Sequence, residues 1–391
     1  MNEIYLDYNA SAPLDKRVLE KMRPVLEDRF GNASSSHSFG RRLNAMVDEA
    51  RHQVASLVGG NPNSVIFTAG ATEANNHALR GIFNDHATKP GRLLTSAVEH
   101  ASVRNTAKWL GDFQGADISV IPVTTGGYID LGIFKSTLDT NVKLISVMGA
   151  NSETGVVNPI EELSSFAEKY GFLVHCDATQ LVGRKIFDME ELGVDLVSLS
   201  SHKIYGPGGM GALVVTRDVR KTLEPLLFGG GHENGLRSGS LNVAGIVGFG
   251  AAAELAENEL ASEMKRLATL RDFLVAQLRN LITGVEELGD ISKRVANTAN
   301  LRFIGADADA VMANMRDVAV SNGSACSSGA IEPSLVLQAM GLDRIAASEA
   351  LRFSLGRFTK KEEIDAAIPR IVTAVQYVRS MTENVSGNGT S

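Results

Sequence analysis

Between residues 64 and 215, short β-branched runs alternate with stretches of helix length, and this alternation constrains the fold more than any other feature of the 391-residue chain. Residues 65–68, 93–96, 118–123, 144–148, 172–177, 196–200 and 213–215 read as strands, and segments such as 160–170 between them as helices. Strand–helix alternation implies crossover connections and a mainly parallel sheet covered on both faces. In open sheets of this class the ligand lies beyond the carboxyl ends of the strands. Residues at those ends therefore come first.

Downstream, a helix is expected over about 251–281. Leu260, Met264, Leu267, Leu270, Leu274, Leu278 and Leu281 recur at spacings of three and four as one apolar stripe. Such a helix can join a large domain, expected over 14–260, to a small α+β domain built from 1–13 and 261–380. The polar, Gly-rich residues 382–391 are expected to form a disordered tail.

Composition narrows the function. A net charge of −7 gives no electrostatic basis for direct nucleic-acid binding, which wants a basic face. Two cysteines exclude a disulfide scaffold and suit a reducing compartment. No apolar run reaches membrane-spanning length, and the first residues lack a basic, apolar leader, so a soluble cytoplasmic protein is expected.

The sharpest local signal is Ser200-Ser-His-Lys203 followed by a Gly/Pro-rich turn. A lysine placed straight after a buried strand faces desolvation, which favours the neutral amine and makes it a Schiff-base nucleophile. The alternative is a solvated loop lysine. The hydroxyls and imidazole before it suit a phosphate. His175-Cys-Asp177 ends another strand, with Gln180 a turn later. Adjacent strand residues point to opposite faces, so these three cannot wrap one metal ion, and no metal site is expected. A carboxylate at a strand end, followed about 26 residues on by a lysine at another, suits pyridoxal phosphate (PLP), whose pyridinium nitrogen needs an acid beside it.

Phosphate also favours a helix start. Gly70-Ala-Thr-Glu73 turns a strand into a helix, and the N–H groups of Ala71 and Thr72 with the Thr72 hydroxyl would face an anion. A plain helix cap is the other reading. His100 follows a strand and suits stacking and proton exchange, or a structural role. Cys326, in a small-residue loop from Ser321 to Gly329, is a nucleophile candidate or an incidental thiol. Arg352 has a guanidinium fork suited to an α-carboxylate, or to a structural salt bridge.

Together with Tyr5-Leu-Asp-Tyr-Asn-Ala-Ser-Ala-Pro13, Arg237-Ser-Gly-Ser240 and Gly323-Ser-Ala-Cys326, these motifs make the chain resemble NifS/IscS-like cysteine desulfurases, PLP-dependent members of the class V aminotransferases. The resemblance runs nearly end to end. It implies a fold-type I α/β architecture and a homodimer that takes sulfur from L-cysteine, releases L-alanine and holds the sulfur as a persulfide on Cys326. It further implies that Lys203 holds PLP, Asp177 pairs with the ring nitrogen, Gln180 meets the phenolic oxygen and His100 stacks on the ring. Thr72, Ser200 and His202 would bind phosphate, with Ser240 reaching it from the second subunit, and Asn151 and Arg352 would grip the substrate carboxylate. Ser152 stands where such enzymes usually have Asn, Ser240 where Thr is commoner, Cys176 where an apolar residue is usual and Ser201 where Gly is frequent. Sulfur would pass to an acceptor protein serving iron–sulfur assembly, tRNA thiolation or DNA phosphorothioation. A selenocysteine lyase, a class V aminotransferase and a non-catalytic scaffold of this fold are the alternatives.

Overall fold

The computed structural model describes residues 3–28, 30–84, 91–323 and 333–387. Its strands are β1 (Ile4–Tyr5), β2 (Val65–Thr68), β3 (Arg92–Ser96), β4 (Asp117–Ile121), β5 (Val142–Met148), β6 (Leu173–Asp177), β7 (Leu196–Ser200), β8 (Gly211–Val215), β9 (Val285–Glu287), β10 (Thr298–Phe303), β11 (Val318–Ala319) and β12 (Ala350–Ser354). Seven of them form one sheet in the order β2-β8-β7-β6-β5-β3-β4. The expected mainly parallel sheet is present, with β8 antiparallel to both neighbours. The 201–210 connection from β7 to β8 is too short for a crossover, so the chain must return antiparallel. Strand β4 ends at Ile121, earlier than expected, because Pro122 has no N–H for the ladder.

Alternate residues of the strands feed two apolar layers. Ile66, Leu144 and Leu213 pack with helices α3 (Ala71–Phe83) and α4 (Ala101–Gln114) on one face. Val65, Phe67, Ile145 and Val214 share a core with α1 (Lys16–Glu27), α2 (Ser38–Ser56) and the start of the long helix on the other. That period of two, with both faces apolar, makes every β7 and β8 position buried.

The long helix spans Val243–Leu281, starting eight residues before the expected onset. Its first turns are buried on several sides through small residues such as Gly245, Gly248 and Ala252, so they carry no one-sided stripe. At 39 residues it is about 58 Å long. Phe249 and Ala256 belong to the main core, whereas Leu267, Leu274 and Leu278 belong to a second. That second core also holds Ile4, Leu6, Phe303, Phe353 and Ile368, over the antiparallel sheet β12-β10-β9. Segment 160–170 is two short helices, Ile160–Ser164 and Ala167–Tyr170. The last helix runs Lys361–Gly387, so residues 382–387 of the expected tail are helical. The apolar stripe Ile364, Ile368, Ile371, Val375 anchors that helix, and no Gly or Pro interrupts its final turns before Gly387. Among the described residues no helix is long and apolar enough to cross a membrane.

Candidate active site

The carboxyl ends of β5, β6 and β7 deliver Met148, Asp177 and Ser200 to one edge of the sheet, in register Met148 beside Asp177 and Asp177 beside Ser198. Strand β2 ends at the same edge and turns at Gly70 into α3. Gly211 is needed where β8 passes this turn. A Cβ there would lie 2.6 Å from both the Gly70 carbonyl carbon and Leu199 O. Above this edge opens a cavity of about 990 Å³.

Nine of the residues singled out from sequence line that cavity: Lys203, His100, Asp177, Gln180, Ala71, Thr72, Ser200, His202 and Arg352. Lys203 closes a single 3-10 turn after β7, and its Nζ donates to Asn9 O and Ala10 O, each at 2.6 Å. Buried Asp177 accepts from Asn75 Nδ2 at 2.7 Å and from Thr179 N at 3.1 Å, which sets its carboxylate plane. Gln180 donates through Nε2 to Asn9 O at 2.9 Å, while its buried Oε1 has no partner. Helix α3 starts at Ala71 with no side chain capping it, so the alternative of a side-chain cap there is not seen and the first N–H groups open on the cavity. Ser200, Thr72 and His202 stand on the same lining. Burial, followed by the Lys203 and Arg184 charges, pushes His202 down to about 4. It is therefore neutral near pH 7, with Nδ1 3.2 Å from Ser11 Oγ.

An anion-ready helix start, an acid at a strand end, an unpartnered amide oxygen and a strand-end lysine fit PLP. Lys203 would hold it, Asp177 would meet its ring nitrogen, Gln180 its phenolic oxygen, and Ala71, Thr72, Ser200 and His202 its phosphate.

Three other residues singled out from sequence are off this lining or outside the described residues. Asn151 does not line the cavity: its Oδ1 accepts from Glu153 N (2.8 Å), Thr154 N (3.0 Å) and Thr154 Oγ1 (3.3 Å), so the side chain holds its own loop closed. Ser240 is exposed and lies off the lining of its own chain. Its segment is pinned by Arg237 Nε to Glu73 Oε1 at 2.8 Å. Cys326 lies outside the described residues. Arg352 lines the cavity but also makes the structural salt bridge weighed against its carboxylate role, with Nη2 on Asp7 Oδ1 and Nη1 on Ser152 O at 2.9 Å.

Several site residues have no role assigned from the sequence, even where, as with Asn9, they sit inside a quoted motif. Asn9 is a peg. Its carbonyl takes Gln180 and Lys203, and its side chain bonds Thr298 Oγ1 (2.9 Å) and Ser152 O (3.0 Å). Asn75 is fully buried, donating to both Asp177 and Ser102 Oγ (2.9 Å). A faint signal does exist for it: Asn75, Ala78, Leu79 and Ile82 share a helical stripe in which only Asn75 is polar. Ser102 reaches His100 Nδ1 through both Oγ (2.7 Å) and N (3.1 Å).

Glu99 is buried on the lining, bonded by Ser96 Oγ and by Met148 N at 3.0 Å. Burial, with the Asp177 charge adding to it, lifts its carboxyl to about 8 despite those two bonds. From about pH 4.5 to 8 the folded chain keeps a proton that the unfolded chain has released, so this group makes stability fall as pH rises through that window. Glu99→Gln, which cannot ionise, should melt nearer to wild type at pH 5 and above it toward pH 8. Parallel melting curves across the window would remove Glu99 from this role.

Residues 4–367 match the family model described as Aminotransferase class-V. A curated relative named cysteine desulfurase IscS, from Anaeromyxobacter sp. (strain Fw109-5), is 44% identical over 97% of this chain and 94% of its own length. A solved structure described as a NifS-like protein superposes with a TM-score of 0.89 at 33% identity, covering 96% of this chain and 100% of its own. Another, described as SspA in complex with cysteine, gives 0.78 at 32% identity, covering 91% and 100%.

Proposed function

We propose that this chain, which belongs to the aminotransferase class-V family, is a PLP-dependent cysteine desulfurase. L-cysteine enters, L-alanine leaves, and the sulfur stays on Cys326 as a persulfide for an acceptor protein. The observation that carries this reading is that Lys203 and Asp177, from two different strand ends, open onto one cavity with His100 and Arg352. The relatives' names and the cysteine complex of a structural neighbour support the substrate.

When bound, PLP supplies the electron sink that makes the substrate Cα–H acidic. Asp177 would favour a proton on its ring nitrogen, and Lys203 would hold the cofactor and serve as the base for the substrate Cα proton. Arg352 holds the substrate carboxylate, sharing its fork with Asp7. His100 handles the proton of the substrate thiol. The Cys326 thiolate then attacks the substrate sulfur. The S–S bond forms as the Cβ–S bond breaks, and the electron pair of that bond goes to carbon.

The test is alanine and sulfide release from L-cysteine with dithiothreitol. Cys326→Ser should keep the cofactor spectrum and its response to L-cysteine, yet lose persulfide formation. Normal alanine release by that variant would assign the sulfur to another nucleophile.

The enzyme is a homodimer in this reading, because Ser240 on the pinned segment is exposed and off its own cavity, as a residue serving a second copy would be. Leu227, paired with Arg237 of that segment, and Phe228 are 41% and 81% exposed and offer that copy apolar surface. Sedimentation should give twice the chain mass, and a fully active monomer would refute the shared site. A cytoplasmic setting fits a chemistry that needs reduced thiols. The net charge of −7 favours a protein acceptor over direct contact with nucleic acid.

A further inference from the structure

The hydrogen bonds around Asn75 all run outward from its amide nitrogen. The Asn75 amide nitrogen carries two hydrogens. Its neighbours are Asp177 Oδ2 at 2.7 Å, an acceptor, and Ser102 Oγ at 2.9 Å. Ser102 Oγ accepts there, so its own hydrogen is available for His100 Nδ1 at 2.7 Å. The backbone N–H of Ser102 points at the same nitrogen, at 3.1 Å. With two donors aimed at it, Nδ1 must be the unprotonated nitrogen, and the ring proton sits on Nε2.

We propose that Asn75 and Ser102 are positioning residues in a hydrogen-bond relay that diverges from Asn75, Asp177 ← Asn75 → Ser102 → His100, presents His100 as the Nε2–H tautomer and fixes the Asp177 carboxylate. The proposal rests on the reading of His100 and Asp177 given above and names what holds them. A helix cap alone does not account for the arrangement. His100 already caps α4 through the Ser102 N–H, and that cap needs neither the hydroxyl nor an amide buried at 0% exposure in an apolar stripe. The span is also long: Asn75 lies on α3, Ser102 on α4 and Asp177 at the end of β6, so three elements are tied at one atom. His100 then meets the substrate as a hydrogen-bond donor, and it can accept a proton only after giving that one up or breaking the Ser102 contacts.

The experiment is nitrogen-15 NMR of the PLP-loaded enzyme labelled in histidine, with His100 assigned by its absence in His100→Gln. Wild type should show an unprotonated Nδ1 and a protonated Nε2. A protonated Nδ1 overturns the relay without any variant. Ser102→Ala keeps the backbone cap and removes the hydroxyl, so the Nδ1 resonance should move and kcat should fall roughly 5–30-fold, the equivalent of one hydrogen bond, with KM little changed. Ser102→Thr should restore both. Asn75→Leu never touches His100, yet it should move the same resonance, which a purely structural asparagine would not do. An unmoved resonance in Asn75→Leu or Ser102→Ala reduces the arrangement to a cap. A protonated Nδ1 in an enzyme that still releases alanine would refute the relay and leave the proposed function standing. Absence of alanine release would do the reverse.

Discussion

Lys203→Ala is expected to leave no PLP fixed to the protein by borohydride and to slow alanine formation by about 10²–10⁴-fold, the range general acid–base groups supply. Among the described residues the cavity is lined by one lysine, so no second amine is placed to substitute. The loss should be twofold in kind, because the same nitrogen holds the cofactor and takes the Cα proton. Mass spectrometry after borohydride treatment checks the first, and an alanine assay with saturating PLP checks the second. The alanine side chain also removes the 2.6 Å donor from Ala10 O and one of the two donors on Asn9 O, which keeps Gln180, so some loosening around Ala10 should accompany it. A borohydride-stable adduct in this variant would place the attachment elsewhere.

Asp177→Asn should keep PLP bound and still slow the reaction by about 10–10³-fold. An opposite charge within a few ångströms shifts a titrating group by roughly one to three pKa units, and each unit is a factor of ten. Without the carboxylate, the ring nitrogen loses that support and the electron sink weakens. The asparagine is also a poor fit: both Asp177 oxygens accept, from Asn75 Nδ2 and Thr179 N, and an NH₂ in place of either oxygen would face a donor. Absorbance of the bound cofactor against pH reads the ring protonation, and alanine release reads the rate. Near-normal turnover would mean another group protonates the ring.

Much of the site is legible in the amino-acid sequence. The strand runs 65–68 and 196–200 coincide with β2 and β7, because short apolar runs bounded by turn residues, β-branched in the first, admit few alternatives. Asp177 and Lys203 read as strand-end residues, and both line the cavity. The orientation of β8 is within reach too, since the 201–210 connection is shorter than a crossover requires. The aim of individual polar side chains is not. Asn151, a substrate ligand only by resemblance, is seen to tie its own loop, while Asn75 reads as an ordinary helix residue.

By itself, the sequence determined the sheet-and-helix alternation, the long helix that serves two cores, and the chemistry-bearing types at strand ends. Those are properties of contiguous residues: period, turn chemistry and propensity act over a few positions and leave a local trace. Only the tertiary structure decided that Asn75 meets Asp177 across 102 positions of chain, that Asn9 meets Lys203 across 194, and that Ser240 stays off its own cavity. A buried polar group must find a partner or lose the cost of its desolvation, and which partner it finds depends on how distant elements pack.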